Sequence, residues 1–503
     1  SSHDTLFVPG SERPEGTYAL FRVTENEIEA CTDFVALRTI WYYQSDDLFV
    51  ASTSQRLIIA AIGDFKLNRK AVNWMLTSGT LGPGHSWDSR IQHLPANSTV
   101  HLNRKSWELD VNDKDRHMFF RETPRAHKEH KNLLKDAVRD SVNGLNVDPT
   151  QWTLALSGGM DSRSLLYHLK DKKGLNTITW GLRESMGQPY SDATISRDLA
   201  KICNFEHEYR ELDLEMAKFS TILDRFLTAG EGRTDHIAGY LDGLKLWNDL
   251  STRNRSIIRG YDAMGMSPPA STEYLARQAS RLRVTSDFTG SMLPSEFSTS
   301  EEDIPDPWKR RADETPMQYR DRLWLEFRTP FLTAALDDIK VAYVEIINPL
   351  LHRMIVQVVQ SLPNDVITHK AIWEEIISEM FPDVPLARSR STQDVYDILD
   401  MPEGKAFLRE NLKGAQGKAV FPDEFLQKFA ANLEIRERKN KLVRIAKKTG
   451  WIMSVYDLVS KLRVRVPKIP LNHRRVALRA VIAIRMNEML TRDAASGGSA
   501  LRS

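Results

Sequence analysis

From about residue 150 the sequence alternates short apolar runs with longer amphipathic segments, and this alternation constrains the fold more than any other feature. The apolar runs have the character of buried strands; they are TLALS, NTITWGL, EHEYRELD and SIIRG. Segments between them, such as RSLLYHLK and SDATISRDLAKIC, carry apolar residues at helical spacing. Strands separated by helices of about ten to fifteen residues predict a parallel sheet of the α/β class.

The chain on either side of this region has a different pattern. Residues 17–110 contain short strand-like runs broken by polar turns, with one helical segment near 70–78, and a longer helix is predicted to end at Gly144. Beyond residue 315 the pattern is mainly helical, and the polar stretch 291–316 is expected to form a long mobile excursion. We therefore expect a β-rich part, a part with the parallel sheet, and a basic helical part, at 1–125, 126–400 and 401–503.

Composition excludes several classes of protein. The 503 residues are 41% hydrophobic and 27% charged, an ordinary balance for a globular chain. No stretch approaches about eighteen consecutive apolar residues, so no membrane span is expected. The cysteines are Cys31 and Cys203, without CxxC spacing, which disfavours a disulfide framework and a cysteine zinc site. Because the N-terminus also lacks the order of a secretory signal, we expect a cytoplasmic protein.

The segment TLALSGGMDSRSLLYHL carries the clearest chemical signal, because an apolar strand passes through a glycine-containing loop directly into a helix. Glycines let the backbone turn sharply and uncover its N–H groups, the helix start adds partial positive charge, and serine hydroxyls add donors. We interpret the loop as a phosphate or pyrophosphate site in which Asp161 can hold Mg²⁺. Neither GK[ST] nor GxGxxG is present, which disfavours a Walker loop and dinucleotide binding. The predicted binding residues are Leu156, Ser157, Gly158, Gly159, Asp161 and Ser162.

SGGMDS is similar to the pyrophosphate loop of ATP pyrophosphatases, and more of the chain resembles one branch of them, the asparagine synthetase family. That family includes β-lactam synthetases and lasso-peptide cyclases. TITWG followed by YSDATISRDLAKI is similar to its second strand and the helix that follows. The resemblance implies an ATP cofactor whose adenine contacts the backbone around Trp180 and Gly181, with Asp192 at the acidic position.

A later segment, EIINPLLHRMIVQVVQSLPNDVITHKAIWEEII, resembles the family's "E-x-R-x-PFLD … LP … K-x-x-x-R" stretch. By this resemblance Lys370 is the catalytic cation that faces the α-phosphate or the developing oxyanion. Tyr343 and Glu345 are similar to the Tyr/acid pair with which β-lactam synthetases deprotonate the attacking amine. Arg388 and Arg390 lie where the family has a basic loop that closes over the pyrophosphate.

The family's second magnesium motif is altered in this chain. In SIIRGYDAMGMS, Gly260 falls on the motif glycine, but Met264 occupies the carboxylate position and Asp262 comes two residues early. Either Asp262 binds the metal, or magnesium binding depends on Asp161 alone. Asp262 as an ordinary turn residue is the alternative.

Residues 31–58 are similar to part of the family's N-terminal glutaminase domain. The resemblance implies a β-rich domain of the Ntn type, which we expect to be degenerate here because residue 1 is Ser and no counterpart of the front half of the domain is recognised. Cys31 lies inside a strand-like run, where we expect a buried apolar role. The amine is then expected to come from the substrate itself or from free ammonia.

The small net charge of +2 conceals an uneven distribution. Residues 436–492 hold 16 lysines and arginines against three acidic residues, a local net charge of +13. These residues could form helices with basic rims or pack against an acidic body, or they could bind an acidic partner such as a peptide. Aromatic residues are sparse in the segment, which disfavours a nucleic acid as partner.

Together these features predict an enzyme that uses ATP and Mg²⁺ to adenylate a substrate carboxylate, releases pyrophosphate, and couples the acyl group to an amine. The acid could be carried by a peptide precursor, and the expected product is a macrolactam of the lasso-peptide kind or a β-lactam. Alternatives left open are an ammonia-dependent asparagine synthetase, a PP-loop enzyme that modifies tRNA, and an inactive scaffold.

Overall fold

The computed structural model describes residues 7–212, 219–261, 269–290, 293–392, 398–434 and 469–500. Within these ranges the chain has a β-rich N-terminal region, a parallel sheet in the middle, and mainly helices beyond residue 315. The predicted mixed α/β class is therefore confirmed, whereas the domain boundaries after residues 125 and 400 stay predictions.

Strands β1 to β7 form two antiparallel sheets in the N-terminal region, one in the order β1-β2-β6-β7 and one in the order β4-β3-β5. Their bounds are Ala19–Val23, Glu27–Thr32, Ile40–Gln44, Phe49–Ser52, Gln92–Leu94, Thr99–Asn103 and Leu109–Asn112. Because alternate side chains of a strand point to opposite faces, one face of each sheet can be apolar. Ala30 and Val100 of the first sheet pack with Ile40, Tyr42 and Leu94 of the second in one buried cluster.

Two helices follow β4: α1 spans Gln55–Ile62 and α2 spans Arg69–Ser78. Helix α2 confirms the predicted helical segment near residues 70–78. Helix α1 was not predicted, although its ends carry ordinary signals, since Ser54 caps its start and Gly63 ends it in the left-handed conformation.

The central sheet contains β8 to β11 and β13, all parallel, in the order β10-β9-β8-β11-β13. Strands β8 to β14 have the bounds Trp152–Ala155, Asn176–Gly181, His207–Glu211, Ser256–Arg259, Phe288–Thr289, Ile346–Ile347 and Ile469–Pro470. The order reverses between β8 and β11, and ligands of open α/β sheets bind at the carboxyl ends of the strands at such a point. All four strands predicted for this sheet are confirmed, and the sheet contains a fifth strand, β13, that was not predicted.

The helices after α2 are numbered α3 to α17. Their bounds are His127–Asn143, Met160–Leu169, Asp192–Ile202, Phe219–Gly230, Lys245–Thr252, Glu273–Ser280, Pro316–Leu323, Ala334–Val341, Arg353–Gln360, Asn364–Ile367, Ala371–Met380, Pro402–Lys413, Ala415–Lys418, Asp423–Asn432 and His473–Ala500. Helices α4 and α5 pack with α3, α11 and α13 in one core, and α6, α7 and α10 contribute to another. The central sheet supplies residues to both cores, so it is covered on its two faces.

The polar stretch before α9 is not the mobile excursion that its composition predicts. Within residues 293–316, Phe297 and Ile304 are buried, and Glu301 pairs with Arg277 of α8 at 2.6 Å. A π-helical segment, Trp324–Thr333, follows α9 directly. The prediction was wrong because scattered apolar residues in a polar sequence still bury side chains when a neighbouring core offers them space.

The described part of the basic C-terminal segment packs against the body of the protein. Arg475 and Arg479 of α17 both pair with the buried Asp235 at 2.7 Å, and Arg474 pairs with Asp400. For residues 469–492, these ion pairs favour the alternative in which the basic residues pack against acidic residues of the protein itself. Residues 435–468 lie outside the described ranges. Among the helices that the structure describes, none has the length and apolar character needed to cross a membrane.

Candidate functional site

Residues 157–162, called the 157–162 loop below, comprise the end of the connection after β8 and the first residues of α4, at the point where the strand order reverses. Ser157 N donates to Ser162 Oγ at 2.9 Å, the two hydroxyl oxygens are 3.0 Å apart, and Gly159 N donates to Ser157 Oγ at 3.3 Å. Gly159 is the N-cap of α4, and no side chain caps the helix there. The loop is thus held by its own hydroxyls, while the helix start is left able to bind an anion.

The loop is also tied to the neighbouring strand and helix. Leu156 N donates to Ile178 O of β9 at 2.9 Å, and Gly158 N donates to Asp192 Oδ1 at 3.1 Å. Asp192 is the first residue of α5. Burial raises the pKa of this carboxyl group, and the hydrogen bond from Gly158 opposes the shift. Leu156, Gly158 and Asp192, three predicted binding residues, are therefore brought together.

Three glycines at this edge are required by close packing. A Cβ atom at Gly158 would lie 2.4 Å from Ala387 Cβ, and one at Gly181 would lie 2.4 Å from Ser391 O. At Gly260 it would lie 2.7 Å from the backbone nitrogen of Ser162. Each glycine lets a backbone approach that any larger residue would block.

We expect Gly260→Ala to destabilise the protein by about 1–3 kcal/mol, because the new methyl group must push the end of β11 away from the backbone at the start of α4. Urea unfolding followed by circular dichroism measures the effect. Gly187→Ala is the matched control, since a Cβ there meets no atom within 4 Å. Equal stability of the two variants would show that the close approach at Gly260 is not a constraint.

A segment far along the chain crosses this edge of the sheet. Ala387 N donates to Gly158 O at 3.1 Å, and Asp192 N donates to Ser389 O at 3.0 Å. Leu182 N, directly after β9, donates to Ser391 O at 2.7 Å. Residues 387–391 are therefore bound to both the loop and the end of β9.

Arg388 and Arg390, predicted to face pyrophosphate, lie on this crossing segment, and both are exposed. The Arg388 guanidinium lies 4.6 Å from the ring centroid of Tyr190. Arg390 is close enough to Asp192 to favour ionisation of its carboxyl group. The structure thus brings both arginines to the region of the loop, with their charges open to solvent.

Lys370 meets the loop although it lies far from it in the sequence. Its Nζ is 3.1 Å and 3.3 Å from the two carboxylate oxygens of Asp161, which also accepts from Trp373 Nε1 at 3.0 Å. The side chain of Lys370 is only 9% exposed. His369 and Lys370 both have positive φ, near +59° and +58°, directly before α13. Strained backbone of this kind persists only where surrounding structure holds it, often at functional sites.

Two residues near the loop were not predicted. Trp373 lies one helical turn after Lys370, so the i, i+3 spacing in HKAIW could have indicated it. Arg163 is buried in α4 and donates to Gly158 O at 3.3 Å and to Pro385 O at 2.9 Å. Burial lowers its pKa to about 10. An arginine among the apolar residues of α4 was the available signal.

The predicted adenine contacts lie at the end of β9. Trp180 is partly buried and its ring meets that of Trp247 edge-on, with centroids 5.3 Å apart. Gly181 is the last residue of β9, beside the crossing segment. Both therefore lie at the carboxyl edge of the sheet, one strand away from the loop.

Tyr343 and Glu345 are not brought to the loop. Ile346 pairs with Ile257, so Glu345 lies level with the first residue of β11, at the amino edge of the sheet. Gly260 is then about 13 Å further along the strands, at roughly 3.3 Å per residue. Tyr343 precedes Glu345 and packs against the apolar core. This placement puts Glu345 at the opposite edge of the sheet from the described residues 157–162, because parallel strands present only their carboxyl ends there.

The structure describes only one of the two predicted Mg²⁺ ligands, Asp161. Asp262 lies outside the described ranges, and in those ranges no group of three or more His, Cys, Asp or Glu side chains could hold a metal ion. Asp161 alone still fits Mg²⁺, which proteins often bind through one or two carboxylates together with substrate phosphates. Its carboxylate, in the first turn of α4, lies where phosphates would meet the helix start.

Cys31 has the buried role expected from the sequence. It lies in β2, is 1% exposed, and its Sγ accepts from Thr99 Oγ1 at 3.5 Å. Burial raises the pKa of the thiol to about 11. A thiol that stays protonated at neutral pH is a poor nucleophile, so this residue does not fit glutamine hydrolysis.

Compared with known proteins, the chain matches no protein-family model and no curated protein. The similarity to the asparagine synthetase family therefore consists of the motifs themselves. Conclusions about function must be argued from the side chains that meet at the 157–162 loop.

Proposed function

We propose that the chain is an ATP-dependent ligase that adenylates a substrate carboxylate, releases pyrophosphate, and passes the acyl group to an amine. One observation carries the proposal: Asp161 and Lys370 meet at a strand–SGGMDS–helix loop where the strand order of a parallel sheet reverses. Open α/β sheets bind nucleotides at such points, and the absence of GK[ST] disfavours transfer of the γ-phosphate.

Pyrophosphate departure is the step that the site can assist most directly. The leaving group gains negative charge, and the uncapped N-terminus of α4 offers it N–H donors and partial positive charge. The Lys370 ammonium, nearly excluded from water, would stabilise the charge that develops on the phosphates. Arg388 and Arg390 would approach from the exposed crossing segment. These groups together supply four sources of positive potential around one anion.

In this proposal Mg²⁺ would be held by Asp161 and by the phosphates of ATP, where it supplies charge neutralisation. Lys370 Nζ and Trp373 Nε1 orient the Asp161 carboxylate from α13. Adenine would lie against the backbone at Trp180 and Gly181. The site would then assist the reaction by holding the carboxylate of the substrate in line with the α-phosphate.

The buried thiol of Cys31 supports an amine source other than glutamine. We therefore propose that the amine belongs to the substrate, as in the lasso-peptide cyclases and β-lactam synthetases that the motifs resemble, and that the acid is part of a peptide precursor. Free ammonia is the alternative source. A peptide could also engage the basic residues 436–468, which precede the packed part of the C-terminal segment.

The proposal is tested by the nucleotide products. Incubation of the full chain with ATP, Mg²⁺, hydroxylamine and a mixture of carboxylic acids and peptides should form AMP and pyrophosphate and should exchange labelled pyrophosphate into ATP. Formation of ADP and phosphate instead would overturn the proposal. Asparagine formed from aspartate and ammonia would select the synthetase alternative, and salt-sensitive tRNA binding would select the tRNA-modifying one.

A further inference from the structure

An exposed tyrosine beside the candidate site lies against one of the arginines predicted to face pyrophosphate. Tyr190 is 45% exposed and precedes Asp192, the carboxylate that accepts from Gly158 N, by two residues. The central carbon of the Arg388 guanidinium lies 4.6 Å from the centroid of the Tyr190 ring, within the range of a cation–π contact. The proposed mechanism uses the arginine and leaves the tyrosine without a role.

Main-chain hydrogen bonds hold these two residues next to each other. Arg388 N donates to Tyr190 O at 2.8 Å. The residues that follow them, Ser191 and Ser389, form a parallel bridge, and Asp192 N donates to Ser389 O at 3.0 Å. Because the backbone makes these bonds, we expect the pairing of the two segments to persist when either side chain is replaced.

The backbone of Tyr190 is strained. Its φ is +59°, in the left-handed region where bulky residues are rare and where glycine or asparagine costs less. Strained positions of this kind persist where the surrounding structure holds them, and they cluster at functional sites. Stability alone would favour glycine or asparagine here, so the strain indicates that the side chain of this tyrosine has a function.

The contact with Tyr190 leaves the hydrogen-bond donors of Arg388 open to a ligand. A guanidinium donates in its own plane, whereas an aromatic ring can contact its face. The Arg388 side chain is exposed, and in the part of the chain that the structure describes it makes no ion pair and no side-chain hydrogen bond. Arg163, by contrast, uses donors on the carbonyl oxygens of Gly158 and Pro385. Arg388 can therefore bind an anion while the ring keeps its guanidinium in place.

Both residues lie on segments that are bound to Gly158 of the 157–162 loop. Ala387, directly before Arg388, donates its N–H to Gly158 O at 3.1 Å. Asp192, two residues after Tyr190, accepts from Gly158 N at 3.1 Å. The uncapped N-terminus of α4, which could bind a phosphate, begins at the next residue of the loop. The tyrosine and the arginine therefore lie beside the place proposed for pyrophosphate.

We propose that Tyr190 is a positioning residue that holds the Arg388 guanidinium ready to bind pyrophosphate at the 157–162 loop. This role rests on the proposed function, because that function supplies the pyrophosphate. An arginine side chain loses rotamer freedom when it binds a ligand, and a contact that orders it beforehand reduces this loss. Tyr190 acts through Arg388, so it need not touch pyrophosphate.

Calorimetric titration of pyrophosphate with Mg²⁺ into the full chain tests this role. We expect Tyr190→Asn to weaken binding about two- to fivefold, the loss that an exposed cation–π contact allows. Tyr190→Phe keeps the ring and should bind as the parent does. Arg388→Gln should weaken binding about tenfold or more, and Tyr190→Asn should add no further loss in that background. Phe119→Asn, which removes another exposed ring from beside an arginine, Arg121, is the control and should bind as the parent does.

Thermal unfolding separates a positioning role from a structural one. Asparagine adopts a positive φ at lower cost than tyrosine, so Tyr190→Asn should leave the thermal midpoint unchanged or raise it. A lower midpoint together with weaker binding would assign the ring to structure and overturn the proposal. Unchanged binding to Tyr190→Asn, additive losses with Arg388→Gln, or weak binding to Tyr190→Phe would each overturn it while the proposed function stands. Absence of pyrophosphate binding to the parent would instead overturn the proposed function, and this role of Tyr190 with it.

Discussion

Replacing Lys370 by methionine should lower the rate of ATP–pyrophosphate exchange by about a hundred- to a thousandfold, the usual cost of removing a preorganised group that stabilises transition-state charge. Lys370 Nζ lies 3.1 Å from Asp161, and its side chain is 9% exposed, so water cannot easily replace the ammonium. Methionine keeps the length of the side chain while it removes the charge. Exchange of labelled pyrophosphate into ATP measures the loss in kcat/KM.

Lys131→Met is the matched control for this prediction. Lys131 pairs with Glu379 at 2.6 Å on the surface, so the same change in charge should leave the exchange rate within about twofold. Circular dichroism and urea unfolding show whether Lys370→Met still folds. A folded Lys370→Met protein that exchanges pyrophosphate at the parent rate would remove this lysine from the mechanism.

Asp235→Asn should destabilise the protein by about 3–5 kcal/mol, because removal of one partner of a buried ion pair leaves the other charges uncompensated. The Asp235 side chain is fully buried and neutralises Arg475 and Arg479, each at 2.7 Å. Arg479 also donates to the carbonyl oxygens of Leu76 and Thr77 in α2. The change therefore loosens α17 from the N-terminal region. Urea unfolding at pH 7 measures the difference.

Asp136→Asn, which removes an exposed carboxylate paired with Arg139, is the control and should have little effect. In the Arg479→Gln background the cost of Asp235→Asn should be smaller, since fewer charges are left unpaired. Equal costs in both backgrounds would show that the two residues do not interact.

The stability of the parent should also depend on pH through Asp235. The arginines and His236 hold the pKa of this carboxyl well below its usual value in the folded state, despite the opposing effect of burial. The stabilisation is therefore present above the unfolded pKa of about 3.9 and is lost as the pH falls towards the folded pKa. Asp235→Asn should flatten this part of the pH profile, and an unchanged acid limb in the variant would contradict the assignment.

Much of the fold could be predicted from local pattern. Four strands of the central sheet, helix α2 and the end of α3 near Gly144 follow the sequence prediction. Helix α1 was missed because its apolar residues continue a strand-like run. The stretch 291–316 was predicted to be mobile because its apolar residues are few, yet Phe297 and Ile304 are buried. In both cases tertiary packing overrode the local composition.

The structure brings together the predicted site residues that are adjacent in the chain, but only some of those that are distant from one another in sequence. The loop residues and Asp192 lie together, and Arg388 and Arg390 reach the same edge of the sheet. Tyr343 and Glu345 resemble a motif pair, with Tyr343 one position off its register, but strand pairing places Glu345 at the opposite edge. Trp373 and Arg163 were missed, because the local signals in HKAIW and in α4 mark these residues as unusual but do not show which distant residues they contact.

The sequence by itself determined the strand–loop–helix around SGGMDS, because glycine spacing and helix initiation depend on neighbouring residues. It also determined the helices of residues 402–432 and 473–500 in the C-terminal part, but not which residues their charges face. Only the tertiary structure decided that Lys370 meets Asp161 and that Asp235 pairs with Arg475 and Arg479 of α17. These contacts join residues separated by hundreds of positions. They depend on strand order and helix packing, which no local pattern encodes.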